Sequence, residues 1–390
     1  MFKKTALFSF VIIASLSITN NPIWAENQQV NPLKNNNIED VLLPTQNRPL
    51  TEAEKAQLQA DLQLLNQSAE EQLALGNEDQ AVEIWYRQLR LTRFLGLQSE
   101  VQEITRLGQL FWQRGRALEI NNLTARLQIL EAENTVDNQL NSQYLDIFFK
   151  AYQSLGNVEK SVNIQQQILT EVREKKNQEK VKENLISLGE LYLSKFDYFN
   201  AQPIYEELLT ISERENDFIN QTNYLKNLSQ INSALLRSEN SIIYRKRLIE
   251  TYEKTDNFND IILEKIAIGD EYKKLDQPQE AGIYYQEAFN LAWSVKRFAQ
   301  AGGALKQLGI LYQDYEKLDS ALQIYRELII IEQQSANFYG LMETYGRMGT
   351  IYQQQGNYSE AKNNWRRALE IAQQLNHKED FYRNKLAELP

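Results

Sequence analysis

Chemistry in this chain would have to begin from one histidine. His377 stands in Leu-Asn-His-Lys-Glu-Asp, and the 390 residues include no cysteine. A Ser-His-Asp triad could be built only on His377, and a zinc site would need further imidazole or thiolate ligands. Asp256-Asn-Phe-Asn-Asp260 scatters oxygen ligands along a short stretch. Phe258 takes an alternate position there, and the glycine that bends a calcium loop does not follow. Neither Gly-x-x-x-x-Gly-Lys-Ser/Thr nor Gly-x-Gly-x-x-Gly occurs, so no phosphate-cradling loop is read. Carboxylates are abundant, but none stand out as an acid–base pair. The reading is therefore of a protein without catalytic residues, metal or cofactor. Its 42 basic and 52 acidic residues, net −10, argue against a nucleic-acid partner.

What remains is binding, and the elements that would position it come next. Residues 1–25 have the layout of a secretory signal peptide. Lys3 and Lys4 precede an uncharged, mostly apolar stretch from Thr5 to Ile18, and a polar, proline-bearing segment ends at Ala25. The apolar stretch is short of a ~30 Å hydrocarbon core, so cleavage is expected rather than anchoring, and no integral span remains after it. Cleavage would remove two lysines and shift the net charge to −12. The expected place is the periplasm, with the thylakoid lumen or the extracellular space as alternatives. Residues 26–50 are rich in Asn, Gln and Pro and read as a flexible tether. Thr51-Glu-Ala-Glu54 is a capping box, and the folded part is expected to start there.

From residue 51 to 390 apolar residues recur at i, i+3, i+4 and i+7, the period of a helix. The segment also repeats itself. Gly189, Gly269, Gly309 and Gly349 share one phase of 40 residues, with Ser229 in the missing place. Tyr192, Tyr272, Tyr312 and Tyr352 lie three residues later; Ala201, Ala281, Ala321 and Ala361 lie 12 later. Tyr205, Tyr285, Tyr325 and Trp365 follow four after the alanines. A glycine on one helix and an alanine on the next let two antiparallel helices approach, and the aromatics fill the space beside the contact. One pair cannot bury both faces, so pairs must stack. Twenty tyrosines could suggest carbohydrate or base stacking, but most of those at these repeat positions fall in the core, so core packing is the better account of them. Gly76-Asn77, Gly156-Asn157, Asp276-Gln-Pro278 and Gly356-Asn357 mark turns within pairs. Phe218, Phe258, Phe298 and Phe338 mark turns between pairs. There Asn257 and Asn337 suit left-handed C-caps, with the phenylalanine folding back on the preceding turn. Tyr244, one residue early, suggests a one-residue deletion. Pro203 reads as a local irregularity near a helix start.

These residues resemble the tetratricopeptide repeat, with Met348-Gly349, Tyr352, Gly356-Asn357-Tyr358, Ala361, Trp365 and Ala368-Leu369 as the fullest copy. The 40-residue period is similar to the long-helix variety of kinesin light chains, and the start of the folded part looks like exported cyanobacterial members. The resemblance implies an all-α, right-handed α-α superhelix of about eight helix pairs. Its units fall at about 62–101, 102–141, 142–181, 182–221, 222–261, 262–301, 302–341 and 342–381, with a short C-terminal cap. It also implies a concave groove, lined by the first helix of each pair, that holds a peptide or partner protein. Transferred to this sequence, the groove phases give Lys226, Gln230, Asp270, Lys273, Lys306 and Gln313 as the partner-binding residues. Lys226 and Lys306 are the two expected anchors for an acidic segment. The implied function is an exported, non-catalytic interaction scaffold or assembly factor. A ligand sensor or enzyme accessory subunit is the alternative.

Overall fold

The computed structural model describes residues 31–33, 39–44 and 48–390. The expected signal peptide lies outside the described residues. The chain forms two compact units, up to Leu130 and from Glu131 onward.

The first unit contains α1 (Glu52–Ala74), α2 (Glu78–Thr92), α3 (Leu97–Gln113) and α4, whose span Ala117–Glu133 runs just past the unit's end. Helix α1 starts as the sequence predicts. The Thr51 hydroxyl accepts from the Glu54 N–H, and the Glu54 carboxylate accepts from the Thr51 N–H at 2.8 Å. The tether expectation fails where residues 26–50 are described. Leu33 is fully buried, Asp40 grips Arg87 through two hydrogen bonds, and Leu42, Leu43 and Leu50 pack with Leu58, Leu62 and Leu91. These few apolar and charged residues find partners far along the chain, which a composition dominated by Asn and Gln conceals.

The second unit opens with a hairpin of β1 (Thr135–Val136) and β2 (Gln139–Leu140). Asp137 and Asn138 both have positive φ, as a two-residue hairpin turn requires. Six helix pairs follow: α5 (Leu145–Ser154) with α6 (Val158–Glu174), α7 (Gln178–Ser194) with α8 (Tyr198–Arg214), and α9 (Phe218–Ala234) with α10 (Ser238–Glu253). Then come α11 (Phe258–Lys274) with α12 (Pro278–Ser294), α13 (Phe298–Asp314) with α14 (Leu318–Gln334), and α15 (Phe338–Gln354) with α16 (Tyr358–Leu375). Helix α17 (Glu379–Ala387) caps the end, with the Tyr382 hydroxyl donating to the Met342 carbonyl.

Successive helices from α6 to α16 start 20 residues apart, so both turns of each repeat share one geometry. At the α11–α12 turn, Asp276 N–H donates to the Lys273 carbonyl and Gln277 N–H to the Tyr272 carbonyl. Those are the two bonds of a Schellman motif, with Asp276 in the left-handed conformation. The residue after it is at once the N-cap of the next helix. Asn257 and Asn337 are therefore N-caps, not left-handed C-caps; their side chains accept from the N–H groups of Asp260 and Gly340. The left-handed residues are their predecessors, Asp256 and Ala336. Phe218, Phe258, Phe298 and Phe338 begin the first helices. Only the Phe298 ring folds back onto a preceding-helix ring among the described contacts, 5.4 Å from Trp293. The anticipated boundaries at 182, 222, 262, 302 and 342 consequently fall four residues inside α7, α9, α11, α13 and α15, whereas 142 falls before α5. Pro203 stands five residues after the first residue of α8, deeper than its first turn, yet the helix runs through it.

The glycine–aromatic contact is the joint inside each pair. Ala281, Ala321 and Ala361 are fully buried, as are Tyr285, Tyr325 and Trp365. A Cβ on Gly309 would stand 2.4 Å from the Tyr325 ring, and one on Gly349 would stand 2.5 Å from Trp365.

The fifth expected repeat departs from this scheme, but without a deletion. Arg237 caps α10 in register with Asp197 and Gln277. The aromatic position is filled by Arg245. Its guanidinium bonds Glu264 at 2.5 Å, and both side chains are 12% exposed. Ser229 replaces the glycine and Ser241 the alanine. The Ser241 hydroxyl donates to the Ser229 carbonyl and accepts from Arg245 Nε. The close helix approach is kept, with a buried ion pair in place of a ring.

Candidate interaction surface

All six proposed groove residues lie on first helices of the second unit: Lys226 and Gln230 on α9, Asp270 and Lys273 on α11, Lys306 and Gln313 on α13. Their 40-residue phase puts equivalent positions on successive first helices. Their availability differs sharply.

Four are already engaged. Lys306 Nζ lies 2.7 Å from a Glu343 oxygen, and that partnership holds the Glu343 carboxyl below its ordinary range. Lys378 approaches the same carboxylate from the cap. Lys273 pairs with Asp314 at 2.6 Å. Asp270 and Gln313 each accept a hydrogen bond from the buried tyrosine of their own repeat, Tyr285 at 2.7 Å and Tyr325 at 3.0 Å. Burial pushes the Asp270 carboxyl up, and the Tyr285 hydroxyl partly offsets that. These two residues finish the core rather than face a ligand. Lys306 is thus a linker between first helices and not a free anchor.

Lys226 and Gln230 are different. Both are exposed, one helical turn apart on α9, and Asn223 is exposed one turn before them. No ion pair holds Lys226 among the described residues. On α7, exposed Glu183 and Glu190 add charge of the opposite sign. Side chains of this kind can hold a polar or acidic segment by hydrogen bonds and charge. Among the described residues no group of His, Asp and Glu could hold a metal ion. No helix there is long and apolar enough to cross a membrane. His377 packs edge-on against Tyr339, with ring centres 5.7 Å apart.

A buried carboxylate lies nearby that the sequence reading did not single out. Glu332, in the last turn of α14, is 3% exposed and one of its oxygens has no hydrogen-bond partner. Desolvation pushes its pKa from an ordinary 4.5 up to about 7, against the pull of Thr344 and Lys306. The folded form therefore holds a proton that the unfolded chain has released. That contribution is complete below pH 4.5 and is lost as pH rises through 7, a swing of up to about 3 kcal/mol. Glu332→Gln should flatten this loss: in urea melts at pH 5 and pH 8, the variant should lose less stability than the parent over that range. Equal losses would show that Glu332 is ionised in the fold.

Models of known families agree with the repeat assignment. Two segments match models of the tetratricopeptide repeat, residues 266–292 and residues 342–375. No curated protein matches the sequence. Among solved structures, the chain is similar to BtubC (BKLC) from P. vanneervenii, with 18% identity over 56% of this chain and 92% of that one, TM-score 0.41. It is also similar to aspartyl phosphate phosphatase F from Bacillus subtilis, with 16% identity over 70% and 75% of the two chains, TM-score 0.43.

Proposed function

We propose that this tetratricopeptide-repeat protein is an exported, non-catalytic scaffold that holds a partner protein or peptide on the first-helix wall of its second unit, centred on α9. The observation that carries this reading is the contrast along the wall. Asp270, Lys273, Lys306 and Gln313 are engaged within the stack, while Lys226 and Gln230 stand exposed together. Lys226 is a cation on an acidic chain, so an acidic partner segment suits it. The fold adds a reason. Stacked pairs leave one helix face of each repeat for binding and need no moving parts.

Export rests on residues 1–25, and N-terminal sequencing from the producing cell should find Glu26 first; a chain starting at Met1 would remove that part. For the surface, Lys226→Glu is expected to lower recovery of the partner, most at low salt where charge is least screened. Helicity should be unchanged, because the side chain is exposed. Undiminished recovery would move the binding surface away from α9.

A further inference from the structure

The described part of residues 31–43 lies on the first unit like a bound ligand. It forms no helix and no strand. Side-chain anchors and one carbonyl hold it. Leu33 is fully buried, and its carbonyl accepts from Arg93 Nη2 at 2.6 Å. Arg93 also bonds Glu100, which is 3% exposed and takes two further bonds from Arg126. Asn31 donates to the Asn122 carbonyl of α4. Further on, Asp40 forms its fork with Arg87 of α2, and Leu42 and Leu43 reach the leucines of α1 and α2. Val41 between them is left in solvent.

We infer that this face of the first unit is a second docking surface, filled here by the chain's own residues, and that it accepts a foreign extended segment of the same chemistry. That segment would offer a leucine with a free backbone carbonyl, then an acidic residue followed by an apolar pair. The present occupant defines each requirement. The leucine fills the buried place of Leu33, and the carbonyl completes the Arg93–Glu100–Arg126 network. The carboxylate makes the bidentate bond to Arg87, a geometry that arginine and carboxylate share well. None of these anchors depends on the segment being covalently joined to α1. A segment held in cis has the advantage of high effective concentration, so a partner gains access when the strap is loosened. This inference is independent of the α9 surface, because it concerns the other unit and an acceptor of different composition.

The test uses the mature chain carrying Leu33→Asp and Asp40→Lys, which removes the strap's two main anchors. The probe is a fluorescein-labelled peptide of residues 31–44. It should bind the double variant at least about ten-fold more tightly than the parent, in which the strap occupies the site. A peptide carrying the same two substitutions should not bind. Equal binding of both peptides, or no binding of the natural one to a variant with native helicity, would overturn the inference. If the variant loses helicity, the readout is its melting temperature with peptide added. Rescue by the natural peptide alone supports the inference, and no rescue refutes it. Competition by unlabelled parent chain would make the occupant a second copy's strap, which would also overturn the foreign-segment reading.

Discussion

Arg245→Ala is expected to destabilise the second unit by about 3–5 kcal/mol, because it leaves the Glu264 carboxylate buried without its counter-ion. The pair lies where neighbouring repeats place an aromatic ring, and both members are largely shielded from water. Removing the guanidinium also takes away the Ser241 contact and opens a cavity beside the helix approach. Restoring the pattern of the other repeats should behave differently. In Ser229→Gly, Arg245→Tyr, Glu264→Ala the ring, the glycine and the small neighbour match Tyr285, Gly269 and Ala304. Exchanging a buried ion pair for matched apolar packing is often neutral or stabilising by about 1–4 kcal/mol. Urea unfolding of the single and triple variants separates the two outcomes. A single variant as stable as the parent would mean that Glu264 reaches water.

The second large effect concerns two of the three glycines of one helix. On α13, Gly309 faces the buried Tyr325 ring, while a Cβ on Gly303 would meet nothing within 4 Å. Gly309→Leu should cost about 3 kcal/mol or more, at or above the usual overpacking range, since the ring is fully enclosed and cannot withdraw. Gly303→Ala should stabilise by about 1 kcal/mol through helix propensity alone. The opposite signs in one helix make the pair a sharp check by thermal or urea melts. A loss at Gly303, or tolerance at Gly309, would contradict the register.

The register was legible because each joint rests on the same three residues of a helix pair, repeated in phase: Gly309, Ala321, Tyr325 and their equivalents. The turns were less legible. Their left-handed positions carry Lys176, Phe196, Leu236, Lys296 and Glu316, where sequence rules look for glycine or asparagine. The stacked helices impose that conformation against local preference. Arg245 escaped notice because Tyr244 beside it resembled a shifted ring. The strap escaped because Leu33 and Asp40 acquire meaning only from Arg93 and Arg87, 60 and 47 residues away. The same holds for the candidate surface. Residue type and phase placed Lys226 and Lys306 alike, but only the position of Glu343 shows that one is engaged and the other exposed.

The most direct test of the scaffold reading compares two charge reversals on the full chain, Lys226→Glu on α9 and Lys362→Glu on α16. Both lysines are exposed and both changes alter net charge equally, so non-specific charge effects cancel. Partner recovery from envelope extracts at low salt is measured for each against the parent. The account predicts that recovery falls for Lys226→Glu and holds for Lys362→Glu. Equal recovery by all three proteins, or a fall confined to Lys362→Glu, would contradict it.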